Sequence, residues 1–147
     1  MADPIRALTI RQPWATLIAD RIKTVENRTW PVPRGFAGPL LVHAAAQIDK
    51  QAMDRAQVIA ALGRRRVEEL PTGAIIAVVG SVVDHSDINP ARPCDPWALP
   101  DCQHWELSDV HPLPRPVPAK GRLGLWVPDA EVLAAVEAQY SETEAAQ

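Results

Sequence analysis

The longest uncharged apolar stretch of the chain, PTGAIIAVVGSVV at residues 71–83, sets the first constraint on the fold. A helix needs ~20 apolar residues to cross a bilayer, so this stretch is too short to span one and the protein itself has to cover it. No membrane association is expected. GAIIAVVGSVVD, residues 73–84, reads as the longest strand, and Gly80 within it marks a bulge or a close approach of another backbone. Short elements alternate around it. RALTIR, residues 6–11, reads as a first strand, followed by a helix from Pro13 to about Lys23. Pro13 suits a first helical position, and Trp14, Leu17, Ile18 and Ile22 recur on one face. A second strand opens at Thr24. PVPRGFAG follows as a loop, and PLLVHAA as a buried strand, continuous in its apolar run.

Residues 49–70 read as one alanine-rich charged helix, with Asp49 as its cap and Gly63 as a weak point. Residues 85–103 carry four prolines and no periodicity, which predicts a long surface loop that could act as a lid, with Trp97 as a lid or interaction residue. HWELSDVHPL and GRLGLWVP read as two strands on either side of the proline-rich PRPVPAK. Pro128 and Asp129 start a closing helix over about 128–141, with Val132, Leu133, Val136 and Tyr140 on one side, and a disordered acidic tail continues to 147. Five or six short strands with two or three helices predict an α+β class: a small barrel or strongly curved sheet with helices at its edges.

The 147 residues fit a single domain that buries about two thirds of its unfolded surface. Cys94 and Cys102 are the only cysteines, too few for a disulfide framework. A reducing cytoplasmic setting without a disulfide-linked partner is therefore expected. The start, MADPIRALTI, has no signal-peptide pattern. The net charge is −3, but five of the 18 acids lie from Val127 onward with no Lys or Arg, so the preceding residues hold 15 basic and 13 acidic groups, a balance of +2. Residues 1–36 are locally basic. This pattern suits a local anion site and excludes a broad cationic surface that grips duplexes by counterion release.

KTVENRTW, residues 23–30, carries the chemistry. On a strand from Thr24, residues Thr24, Glu26, Arg28 and Trp30 share one side, so the face that ends in a large aromatic also holds both charges. Glu26 and Arg28 are neighbours at i and i+2, flanked by Lys23. Cations within ~4–6 Å lower a carboxylate's pKa, which makes Glu26 an acceptor and a poor general acid at neutral pH. Such an acceptor suits the exocyclic amine of cytosine or adenine, with Trp30 or Trp14 available to stack. Arg11 and Gln12 sit where the first strand meets the helix start and could reach a phosphate or a base edge. The plainer reading stands beside this one: Glu26 and Arg28 as a structural ion pair closing the end of the barrel, and Lys23 as a favourable charge at a helix C-terminus.

LTIRQPWATLIADRIKTVENRTW, then GPLLVHAA, GAIIAVVGSVVD and WELSDVHPLPRPVPAKGRLGLWVP, together resemble an ASCH domain over about residues 5–127, through QPWA opening the helix, K-T-x-E-x-R leaving it and GLW closing the barrel. The resemblance implies a PUA-like β-barrel whose cleft, between the first helix and the barrel, receives RNA or a modified nucleoside. It also implies an alternative. Some ASCH proteins resemble amidohydrolases that remove an acyl group from the exocyclic amine of cytidine, and others are linked to RNA cleavage. In the amidohydrolase pattern a threonine nucleophile follows the lysine by three residues. Here Lys23 matches the lysine, but Glu26 holds the nucleophile position and Thr24 lies ~6–7 Å back along the strand. A catalytic version of this site would use Lys23, Glu26 and Thr24.

Weaker candidates complete the survey. Trp14 reads better as core, and Trp105 and Trp126 read as core. His43 ends a buried strand and either faces the cleft or is a satisfied core residue. Cys94, Cys102 and His104 lack the close cysteine pair of a zinc set, so no metal and no cofactor is expected. Ser81 lacks a G-x-S-x-G frame. Arg64, Arg65 and Arg66 read as a solvated face.

Overall fold

The computed structural model of the protein describes residues 4–86 and 94–145. Six strands and three α-helices follow in the order β1 (Arg6–Gln12), α1 (Trp14–Ala19), β2 (Val25–Arg28), β3 (Leu40–Ile48), α2 (Ala56–Leu62), β4 (Ala74–Ser86), β5 (Gln103–Pro118), β6 (Leu125–Trp126) and α3 (Ala130–Ala145). The strands form one sheet in the order β2-β5-β4-β3-β1-β6. The β1–β3 pair is parallel and the other pairs are antiparallel. This is the expected α+β class, but the sheet does not close into a barrel. Its end strands are only four and two residues long, too short to form a ladder across the remaining gap. A side chain spans part of that gap: Arg28 Nη2 of β2 donates to the Thr9 carbonyl of β1 at 3.0 Å.

Side-chain alternation explains why the central strands are apolar throughout. Leu8 and Ile10 of β1, with Leu40, Val42 and Ala44 of β3, point to one face and meet Ile18 of α1 and Trp105. Ala7, Leu41, Ile75 and Val78 point to the other face and meet Trp126 and Val136 of α3. A sheet covered on both faces leaves no polar side for PLLVHAA to show. A third cluster packs Leu17 of α1 against Val58 and Leu62 of α2 and against Trp97.

Several expected boundaries move, each for a local reason. The first helix stops at Ala19, where Arg21 takes a positive φ of 64° and turns the chain, leaving Ile22 on the surface. The helix expected over 49–70 is only Ala56–Leu62, flanked by single 3-10 turns at Lys50–Asp54 and Val67–Glu69, and it ends at Gly63 with φ 65°. Asp49 does not cap it, because its carboxylate accepts from Trp14 Nε1 at 3.0 Å. The proline-rich connection is not a loop, since β5 runs through it to Pro118. β2 pairs only with Gln103–Glu106 of β5, so the remainder of β5 has an open edge where proline's missing N–H costs nothing. GRLGLWVP shrinks to the two residues of β6. The closing helix extends to Ala145, so residues 142–145 are helical and not tail.

Part of the expected lid, residues 87–93, lies outside the described residues. Trp97, expected on a lid, is instead 8% exposed in the third cluster. Gly80 marks a close approach: a Cβ on Gly38, at φ 114°, would lie 2.5 Å from the Gly80 carbonyl oxygen. No helix among the described residues is long and apolar enough to cross a membrane.

Candidate functional site

Arg21 ends α1 and drops Lys23 beneath it, where its backbone N–H bonds the Leu17 carbonyl at 3.0 Å. Burial forces the Lys23 ammonium to find partners. It donates to Glu26 Oε1 at 2.9 Å and to the Val25 carbonyl. The other carboxylate oxygen, Oε2, accepts from Arg28 Nε at 3.0 Å, and Arg28 Nη2 stands at ion-pair distance, 3.0 Å, from the same oxygen. Side-chain exposure is 4% for Lys23, 9% for Glu26 and 25% for Arg28, so the carboxylate is sandwiched between two cations. Burial by itself raises the Glu26 carboxyl, but the Lys23 and Arg28 charges and their hydrogen bonds outweigh burial and hold it below its ordinary value. Glu26 is thus an ionised acceptor with lone pairs still available, and Lys23 directs its donors at Glu26 and the Val25 carbonyl.

Two cavities flank this triad. The first, of about 410 Å³, is lined by Lys23, Glu26, Trp14, Arg55, Trp97 and Asp49 among others, and its size falls in the roughly 300–1,000 Å³ range of small-ligand sites. Trp14 meets Trp97 edge to face at 6.3 Å. Lys23 Nζ and the Arg55 guanidinium lie 5.7 and 5.5 Å from the Trp14 ring centre, within cation–π range. The second cavity, of about 650 Å³, is basic: Arg11, Arg28, Lys120 and Arg122 line it with Thr9 and His43. Glu26 belongs to the first cavity and Arg28 to the second, so their ion pair forms the partition.

The residues singled out in the sequence therefore separate. Trp14, Lys23 and Glu26 share the first cavity; Arg11, Arg28 and His43 line the second. Gln12 belongs to neither. Fully buried, it accepts from the Thr16 backbone N–H at 2.9 Å and donates to the Pro71 carbonyl at 2.8 Å, which ties down the start of α1. Trp30 packs edge to face on Trp105 at 4.9 Å and walls neither cavity. Thr24 is exposed, precedes β2, donates to Asp95 Oδ2 at 3.1 Å and lines a separate groove. The expected common face of Thr24 and Glu26 is not realised.

His43 is both buried and at the cavity. Its Nε2–H donates to the Ala119 carbonyl at 2.7 Å, and its ring meets Trp126 edge to face at 5.5 Å. Nδ1 has no partner among the described residues. Burial lowers the His43 pKa more than the Ala119 contact raises it, so the ring is held neutral below its ordinary value of 6.5.

Some residues escaped sequence reasoning. Arg55, Lys120 and Arg122 carry no motif, and only folding brings them to the cavities. His85 is a second case. It pairs across β4–β5 with His104, and Cys94 joins them to form a cluster whose ligand atoms all lie within 4.8 Å of one another. The cysteine grouped with them in sequence, Cys102, instead donates to the Leu99 carbonyl at 3.3 Å.

The fold and the site define a small α+β domain: an open mixed sheet with a tryptophan-walled, charge-partitioned cleft beside its first helix. A family model for the ASCH domain matches residues 8–113, more than two thirds of the chain. The protein belongs to the ASCH family, whose domains are generally RNA-binding PUA-like modules. No curated protein matches the chain significantly.

Proposed function

We propose that the protein binds single-stranded RNA, or one modified nucleoside within it, with the base in the cavity beside Trp14 and the adjoining phosphates in the basic cavity. The observation that carries this reading is the Glu26–Arg28 partition, with an ionised acceptor on one side and cations on the other. Glu26 accepts from the exocyclic amine of cytosine or adenine, and Trp14 with Arg55 provides a stacking wall. Base–aromatic stacking contributes ~1–3 kcal/mol, and splayed single-stranded bases also stack on guanidinium planes. Arg11, Lys120 and Arg122 take phosphate oxygens. Such a local cationic pocket suits a protein whose net charge is −3 better than a duplex grip does.

Hydrolysis gains no support from the geometry. Thr24 is occupied with Asp95 outside the cavity, and Lys23 is occupied as a donor inside it. Lys23 and Glu26 act in recognition.

A panel of short single-stranded RNAs and modified nucleosides tests the reading by thermal shift and fluorescence anisotropy at several salt concentrations. Saturable binding is expected, and Lys120→Ala and Arg122→Ala should each weaken it across sequences and reduce the salt slope by about one. Selectivity for amine-bearing bases should depend on Glu26. Binding that is insensitive to salt and to both substitutions, or turnover of an acylated nucleoside, would overturn the assignment.

A further inference from the structure

We propose that His85, Cys94 and His104 form a binding site for one zinc ion, which fastens the segment walling the base cavity to the sheet. The three side chains come from β4, from the segment before β5 and from β5 itself. His85 and His104 are direct cross-strand partners, so both rings leave the same face of the sheet, 5.6 Å apart. Cys94 Sγ lies 3.6 Å from His104 Nδ1. Tetrahedral zinc with its usual bonds to imidazole nitrogen and thiolate sulfur separates those two atoms by about 3.6 Å. All three ligand atoms fall within 4.8 Å of one another.

The surroundings match what ligating histidines require. His104 Nε2–H donates to the Leu99 carbonyl at 2.5 Å, and its Nδ1 faces Cys94 Sγ. A second-nitrogen bond to a backbone carbonyl is the usual device that fixes a ligating imidazole. Glu106 Oε1 stands 3.9 Å from His85 Nδ1 and can orient that ring. Mixed thiolate and imidazole donors favour zinc over magnesium or calcium. On binding, the Cys94 thiol loses its proton to solvent and the thiolate ligates, with a water completing four-coordination.

The consequence for the cleft is positional. Asn27 already holds the segment by donating to the Trp97 carbonyl at 2.9 Å and accepting from the Leu99 N–H at 2.9 Å. Zinc at Cys94 anchors the segment's other end and so holds Trp97 against Trp14. This consequence rests on the base-cavity reading, whereas the metal site does not.

The test uses the full-length, untagged, reduced protein, stripped with chelator and titrated with Co²⁺ and then Zn²⁺ in the absence of RNA. The expected result is one equivalent of Co²⁺ with thiolate-to-cobalt charge-transfer absorption, displaced by Zn²⁺, and a Tm that rises with Zn²⁺. Cys94→Ser and His85→Ala should each weaken binding by more than roughly 100-fold, the upper end of what second-shell changes cost, and Cys102→Ser should leave it unchanged. Cys94 is exposed and His85 half-buried, so both variants should keep their far-ultraviolet circular dichroism. No thiolate band in the wild type, or a band that survives Cys94→Ser or disappears with Cys102→Ser, overturns the site. Because no RNA is present, that failure would leave the base-cavity reading standing.

Discussion

Replacing Glu26 with glutamine tests how the charged triad is held. The carboxylate receives one hydrogen bond from Lys23 and one from Arg28 Nε, with Arg28 Nη2 at ion-pair distance from the same oxygen. Glutamine keeps one acceptor oxygen and turns an NH₂ group toward a cation. Arg28, a quarter exposed, can recover water, but Lys23 at 4% cannot. The dominant cost is therefore an uncompensated buried ammonium, and removing one member of a buried pair costs about 3–5 kcal/mol. With Arg28 rehydrated, the lower end applies. About 3 kcal/mol corresponds to a fall in Tm of roughly 6–12 °C for a chain of this size.

The effect has a defined pH window. Glu26 is held below its ordinary 4.5, so its contribution is complete above about pH 4.5 and fades as pH drops through the lowered folded value. Urea unfolding of both proteins at pH 7 and at steps down to pH 3 measures this: the gap should be full at neutral pH and narrow below 4.5. Lys23→Met in the Glu26→Gln background should recover part of the loss. A gap under 1 kcal/mol at pH 7, or one that stays constant through the acid range, would refute the account of a carboxylate trapped between two cations.

Three further outcomes follow from the same packing. Gly38→Ala places a methyl 2.5 Å from the Gly80 carbonyl oxygen at a φ of 114°, so a loss of at least ~2–3 kcal/mol is expected in urea melts. His43 is held neutral with its pKa below 6.5. The unfolded chain therefore takes up the proton first as pH falls, stability is lost below about pH 6.5, and His43→Leu should flatten the stability profile between pH 7 and 5. Gly121→Ala puts a methyl 2.8 Å from the His43 ring and 2.9 Å from Thr9 Oγ1. It should cost ~1–3 kcal/mol and weaken RNA binding through the basic cavity, as read by anisotropy at a temperature where the variant stays folded.

Local rules were reliable where the answer depends on neighbours in the chain. The apolar run of β3 and the close approach at Gly80 followed from residue type and spacing, whereas Pro13, expected at the first helical position, sits just before the helix as its cap. The pairing of Glu26 with Arg28 at i and i+2 followed as well, because strand geometry alone places them together. The errors arose where distant residues decide. Gln12 resembled a ligand group until Pro71, far along the chain, took its amide. The proline-rich half of β5 read as a loop because nothing local reveals that β2 is too short to cover it.

The sequence by itself determined the α+β class, the buried central strands and the cation–carboxylate–cation run after the first helix, since periodicity and burial cost act over a few residues. Tertiary structure alone decided that the sheet stays open, that the candidate site is two cavities divided by the Glu26–Arg28 pair, and that His85 faces His104. Those outcomes depend on strand register and on which side chains reach across the gap between β1 and β2. Register is a property of the paired strands, set by contacts between residues far apart in sequence.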